Sequence, residues 1–384
     1  MTTVIRNACI IPNGADCFHG SVAFSGGRIT ALSRGELAGD SVIDAGGELV
    51  LPGFIDTHLH GSLGYDFIRS AAEAVSAVGR ALPAEGTTAF LASLTVISHA
   101  DLLALLRDYA ALDAKTAGAE FLGVHSEGPF LSKEYKALMD ERYLRDANAG
   151  EYAEMIAAAG GRLKTMTFSP AVGGVDALLR LSAEASVRLM IGHTACTCEQ
   201  ALAALDGGAA GFTHLYNAMT QHLHRTPGAV TAALLHRSAL CELIVDGFHV
   251  APDVVRATYR SIGPERICLI TDAMLGKGMP DGEYIFSGLR CRKTGHTVQV
   301  IKTGRIAGSC ITMLHAVRFM REFTGCTVND IVQMASVNPA RSAGVSDRKG
   351  TLAVGKDADL LLMTDDLRLL RTFVGGDEKY RAEA

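Results

Sequence analysis

The chain has 384 residues, of which 48% are hydrophobic and 20% charged, with a formal net charge of −5. That balance can bury a large core and excludes a disordered chain; the acidity, with no Lys/Arg block, excludes a nucleic-acid footprint. No apolar run reaches the roughly 18–20 residues that span a bilayer, so no membrane partner is expected.

The first fifty residues read as short strands, TVIRNACII, SVAFSG, RITALS, SVIDAGG and ELVLPG, punctuated by Gly, Asn and Asp. The same texture returns near the end in GTLAVGKDADLLLMTDD and LRLLRTFVGGDEKY. Two strand-rich ends predict one small β-sandwich domain built from residues 1–50 and 346–384. The opening MTTVIRNACIIPNGAD shows no basic segment followed by a long apolar stretch, so no signal peptide is expected. Nine cysteines, odd in number and without framework spacing, predict the reduced and mostly buried thiols of a cytoplasmic protein.

Between the ends the texture alternates. Strand-like runs appear as GFIDTHLHG, TTAFLAS, EFLGVHSEG, TMTFSPA, VRLMIGHT, GFTHLYN, CELIVDG and ICLITDA, separated by helical candidates such as AAEAVSAVGRALPAEG, HADLLALLRDYAALDAK and VDALLRLSAEAS. Eight apolar runs with helices between them predict an α/β fold, a (β/α)₈ TIM-like barrel over residues 51–345. A β-hairpin insertion is predicted near residues 275–305.

In such a barrel the C-terminal ends of the strands face a shared pocket. Those ends carry His58 and His60, then His125 and Glu127, then His193, His214, Asp246 with His249, and Asp272. Period-two alternation puts His58 and His60 on one face of their strand. A lone strand-end histidine is more often a hydrogen-bonded core residue, but imidazoles and carboxylates converging on one rim are costly to bury without a cation. Nitrogen and oxygen donors without sulfur suit Zn²⁺, or Fe²⁺, Mn²⁺ and Co²⁺.

The motifs PGFIDTHLHG, HSEGPF, GHT, THLYNAM, DGFHV, ITDA and GTLAVGKDADLLL resemble the amidohydrolase superfamily. Within it they are most similar to the N-acetylglucosamine-6-phosphate deacetylases. The resemblance runs over nearly the whole chain; HxEGPF and THLYNAM are its specific elements. It implies a homodimeric enzyme acting on a small sugar phosphate, with one or two divalent metal ions. Glu127, His193 and His214 inherit the main metal site, and His58 and His60 permit a second ion with Glu127 as the bridge. His125 is left as an interior histidine. Asp272 inherits the acid/base role, accepting a proton from the attacking water and returning it to the departing nitrogen.

By the same resemblance Asn217, Ala218, Arg225 and His249 bind the sugar phosphate. The turn Ala307, Gly308 and Ser309 closes the pocket. One departure stands out: family members place a histidine that helps polarise the acyl carbonyl about a dozen residues after the glutamate, where this chain has Met139. Methionine donates no hydrogen bond. Lys133, Lys136 or Arg142 can replace that donor, a second metal at His58 and His60 can do so, or the acyl group or sugar differs. The rival readings are a deacetylase of another amino-sugar phosphate such as N-acetylgalactosamine 6-phosphate, a different amidohydrolase, and a non-catalytic amidohydrolase-like binding protein.

Overall fold

The computed structural model describes residues 1–114, 116–286 and 288–383. Lys115, in a helical candidate, and Ser287, in the expected insertion, lie outside the described residues. Strands β1 (Phe54–Leu59), β2 (Thr87–Leu94), β3 (Glu120–Glu127), β4 (Leu163–Phe168), β5 (Arg188–Ile191), β6 (Gly211–Phe212), β7 (Leu240–Ile244) and β8 (Ile267–Ile270) pair in parallel in that order. Each overlaps one of the eight apolar runs, with ends that differ by at most two residues where a strand extends beyond its run. The ring closes through a parallel bridge between Leu59 and Ala273. Around it the Asp272 N–H donates to His58 O at 2.8 Å and the His60 N–H to Ala273 O at 2.7 Å. β1, β2, β7 and β8 are buried along their whole length, as parallel strands covered on both faces must be.

The connecting helices follow the local chemistry. Helix Ala71–Ala81 gives way to a 3-10 turn at Leu82–Glu85, where Pro83 cannot supply the next helical N–H. Helix His99–Ala110 starts where the Ser98 side chain accepts the Asp101 N–H, and Cys198–Asp206 starts from a Thr197–Gln200 capping box.

The insertion is larger than a hairpin. Segments Gly282–Phe286, Leu289–Thr294, Thr297–Val300 and Ile306–Ser309 form a four-stranded antiparallel meander. Its last segment bridges back onto the barrel, Ser309 to Ala273. Alternation over such short segments marked strands without counting them.

The terminal segments join one eight-stranded, mostly antiparallel sheet. Strand Phe18–Ser25 and strand Leu369–Val374 lie four places apart in it, about 19 Å on a flat sheet at roughly 4.8 Å per strand. Yet the rings of Phe24 and Phe373 are 5.5 Å apart, so the sheet folds back on itself around Ile5, Val22, Val50 and Leu360. A charged cluster fastens this sheet to the barrel. Buried Lys349 reaches Glu120 at the start of β3 (2.9 Å), Asp357 (3.0 Å) and Asp359 (2.5 Å), and Arg348 grips both Glu120 oxygens at 2.7 and 2.9 Å.

Candidate active site

A cavity of about 230 Å³ opens at the C-terminal end of the barrel, as the fold predicts for a reaction centre. His60, Glu127, His193, His214 and Asp272 line it, and His58 lies fully buried against them. One rule places three of these groups. His193, His214 and Asp272 each follow the last residue of their strand by two positions, and each has a left-handed backbone, φ 45°, 31° and 46°. Non-glycine residues resist that conformation, which concentrates at functional sites. Here it turns three side chains from the barrel rim into one space.

The groups form two triads, Glu127 with His193 and His214, and His58 with His60 and Asp272, each with ligand atoms within 4.8 Å of one another. Glu127 spans both. Its Oε1 lies 3.0 Å from the Nε2 of His193 and of His214, and its Oε2 lies 3.2 Å from His60 Nε2. Asp272 Oδ1 is 3.4 Å from His60 Nε2 and 3.6 Å from His58 Nε2.

The outer ring nitrogens settle which way the imidazoles present their lone pairs. His193 Nδ1 faces Tyr135 O at 2.7 Å, His60 Nδ1 faces Ser93 O at 3.2 Å and His58 Nδ1 faces Glu242 Oε2 at 3.1 Å. Each of these oxygens accepts a proton, so the Nδ1 carries the hydrogen and the Nε2 lone pair turns inward. The inward nitrogens then crowd, 3.1 Å between His193 and His214 and 3.3 Å between His58 and His60. Lone pairs held that close need a positive charge between them, and four imidazoles with two carboxylates fit divalent metal ions.

The electrostatics agree. Burial opposes charge on every group here. The charges and hydrogen bonds of His193, His214 and His60 nevertheless hold the Glu127 carboxyl well below its ordinary range. His60 and His58 likewise hold Asp272 low, leaving a carboxylate able to take a proton. Despite burial, the Glu242 hydrogen bond and the nearby Asp272 and Glu127 lift His58 to about 9, and Asp272 and Glu127 lift His60 well above its usual value. The site draws positive charge onto buried nitrogens, which is the charge a metal ion supplies.

The remaining predicted residues divide. Asn217, Ala218, His249, Met139, Ala307 and Gly308 line the cavity. Ser309 does not: it is fully buried, donating its N–H to Asp272 O at 2.9 Å and its hydroxyl to Thr271 O, so it braces the aspartate from behind. Arg225 does not either: it sits on the exposed turn 221–227, whose ends meet through a His222–Pro227 bridge and which therefore bulges into solvent. His125 is an interior residue, held by Ser93 (2.9 Å) and Thr167 (2.8 Å), and burial with the His58 charge keeps it neutral. Lys136 and Arg142 turn outward to Glu141 and Asp140, so neither enters the cavity as a donor.

Two functional neighbours were not singled out from sequence. Glu242 orients His58; its signal was a carboxylate inside the apolar run CELIVDG. Asp66 is almost fully buried and lines the cavity beside His60. A third, Asp246, was seen at its strand end without a role. It holds His249 Nδ1 at 2.7 Å and accepts the N–H groups of Phe248 and His249 at 2.8 Å. Against burial, that bond raises the His249 imidazole above its usual range.

Comparison with known proteins adds the family context. The amidohydrolase family model matches residues 49–379. The chain is 34% identical over 381 residues to a Bacillus subtilis protein named N-acetylglucosamine-6-phosphate deacetylase, covering 97% of this chain and 96% of that one. It is also 34% identical over 337 residues to an Escherichia coli protein named N-acetylgalactosamine-6-phosphate deacetylase, covering 88% and 89%. A solved structure from Mycobacterium smegmatis, a mutant N-acetyl-D-glucosamine-6-phosphate deacetylase in complex with N-acetyl-D-glucosamine-6-phosphate, matches with a TM-score of 0.88 at 31% identity over 99% of each chain.

Proposed function

The chain belongs to the amidohydrolase family, and we propose that it removes the acetyl group from N-acetylglucosamine 6-phosphate, giving glucosamine 6-phosphate and acetate. The observation that carries this reading is the pair of triads joined by Glu127, the second of which includes the Asp272 carboxylate at the cavity lining.

Glu127, His193 and His214 would hold one metal ion, and His58 and His60 a second, with Glu127 between them. Zinc is proposed first, with iron, manganese or cobalt as alternatives, in a cytoplasmic homodimer. Such an ion lowers the pKa of water towards neutrality and polarises an amide carbonyl. The chain's own residues do the rest. Asp272, ionised and facing the cavity, accepts the proton of the attacking water and returns it to the sugar nitrogen as the C–N bond breaks. Without that proton the nitrogen would depart as a strongly basic anion. Ser309 anchors the main chain of Asp272 through its N–H on the Asp272 carbonyl oxygen.

The sugar phosphate is assigned to Asn217, Ala218 and His249, with the imidazole oriented by Asp246. A phosphate role for Arg225 requires its turn to fold over the cavity mouth. Met139 donates no hydrogen bond, so a metal ion held by the two triads would supply the polarisation of the carbonyl.

A second reading, the same hydrolysis of N-acetylgalactosamine 6-phosphate, is favoured by the Escherichia coli relative of equal identity. Acetate release from both phosphorylated epimers and from free N-acetylglucosamine separates them. The proposal expects the glucosamine epimer to be the best substrate. A preference for the galactosamine epimer would install the second reading, and no release from any would reject both.

A further inference from the structure

The segment that carries Met139 is two-faced. Its cations turn to solvent, Lys136 to Glu141 at 2.7 Å and Arg142 to Asp140 at 2.6 Å, while Leu138 and Met139 turn into the cavity. Leu138 packs against the cluster that holds Met274 and Ala307, and Met139 packs with Val96 and Leu131. The segment is tied to the metal-ligand histidines, since the His193 Nδ1–H donates to Tyr135 O at 2.7 Å.

The cavity therefore has two flanks. Asn217 follows β6 and His249 follows β7, forming the polar flank, with the small Ala218 next to Asn217 leaving room. On the side of β8 and β1 to β3, where Asp66 and Thr95 also reach the cavity, Leu138, Met139, Met274 and Ile306 form an apolar wall. A scissile carbon held between Glu127 and Asp272 sends its two substituents to opposite flanks. The hydroxyls and phosphate of a sugar belong with the polar groups, which directs the acyl tail to the wall.

We propose that this wall is an adaptable acyl pocket, and that the protein hydrolyses N-propionyl and N-butyryl hexosamine 6-phosphates as well as the acetyl compound. The inference rests on the deacetylase reading above. The chemistry is unchanged: water adds its oxygen to the acyl carbon, the C–N bond breaks, the amine takes up the proton held by Asp272, and the carboxylate leaves. Only the tail lengthens. A rigid pocket shaped to one acyl group typically discriminates by roughly 10–200-fold per methylene. Two methionines, unbranched and with three rotatable bonds each, can withdraw to admit the added carbons.

The test is kcat/KM for N-acetyl-, N-propionyl- and N-butyrylglucosamine 6-phosphate, read through the common product glucosamine 6-phosphate. The wild-type protein should process the propionyl compound within about tenfold of the acetyl compound, below the upper range of rigid-pocket discrimination. Met139→Phe and Leu138→Phe, which fill the wall, should each lower the propionyl-to-acetyl ratio by about tenfold or more. Acetyl turnover with propionyl more than about tenfold slower in the wild type overturns the inference and leaves the deacetylase reading standing. Unchanged ratios in both folded variants also overturn it. No product from any of the three rejects the deacetylase reading itself.

Discussion

Glu242 Oε2 lies 3.1 Å from His58 Nδ1, deep in the barrel and on the side of the imidazole away from the cavity. The carboxylate fixes the tautomer, and with it the direction of the Nε2 lone pair that faces His60 and Asp272. Removing such an outer partner typically costs 10–100-fold in metal affinity. Glu242→Gln should therefore weaken loading of the His58–His60 triad by roughly tenfold or more while sparing the Glu127–His193–His214 triad. Metal titration of the stripped variant reads this directly; equal loss at both triads would reject the orienting role.

Asp272→Asn should keep the fold and the metal content of the first triad yet lower kcat by roughly 10²–10⁴-fold, the usual span for a lost general acid/base. Turnover with metal content measured on the same sample makes the comparison. Wild-type rates would remove Asp272 from the mechanism.

Arg225 and His249 make opposite predictions. His249 lines the cavity, so His249→Ala should raise KM for the phosphorylated substrate clearly more than for the free sugar. Arg225→Ala should leave KM within about twofold if the exposed turn stays where it is, as expected of a surface change. A large rise in KM for Arg225→Ala would show that the turn reaches the substrate.

Lys349 is the buried cation of the cluster that joins the terminal sheet to the barrel. Burial acts against its charge, but Asp359, Glu120 and Asp357 raise its pKa well above the ordinary 10.5. A folded pKa above the unfolded one means the stabilisation is fully present below about pH 10.5 and is lost as pH rises through the folded value. Lys349→Met strands buried carboxylates and should cost about 3–5 kcal/mol in urea unfolding at neutral pH. The variant should also lack this group's contribution to the alkaline loss of stability. A difference under about 1 kcal/mol would mean that Arg348, which also holds Glu120 and Asp357, suffices.

Much of this was legible because strand ends in a barrel share one destination. The alternation in His58-Leu59-His60 and the position of His193, His214 and Asp272 just past apolar runs were enough to bring them together. Glu127 was readable for the same reason. Glu242 was missed although it is a carboxylate inside the otherwise apolar start of CELIVDG, because its partner His58 lies 184 positions away. Ser309 was grouped with Ala307 and Gly308 as one pocket-closing turn; in the structure Ala307 and Gly308 line the cavity, while Ser309, at the end of its strand, is fully buried and bonds to the main chain of Asp272 and Thr271. Arg225 was taken from the family resemblance, and nothing local to HLHRTPG reveals that the turn projects outward. The folding back of the terminal sheet depends on strand order, which short runs do not encode.

The central claim is metal-assisted hydrolysis of an N-acetyl amino-sugar phosphate at the two triads. Its most direct test is acetate release from N-acetylglucosamine 6-phosphate by protein stripped with a chelator and then titrated with zinc. The account predicts no turnover in the stripped protein and recovery that follows zinc uptake, with His193→Ala losing both. Full turnover by protein freed of metal would contradict it.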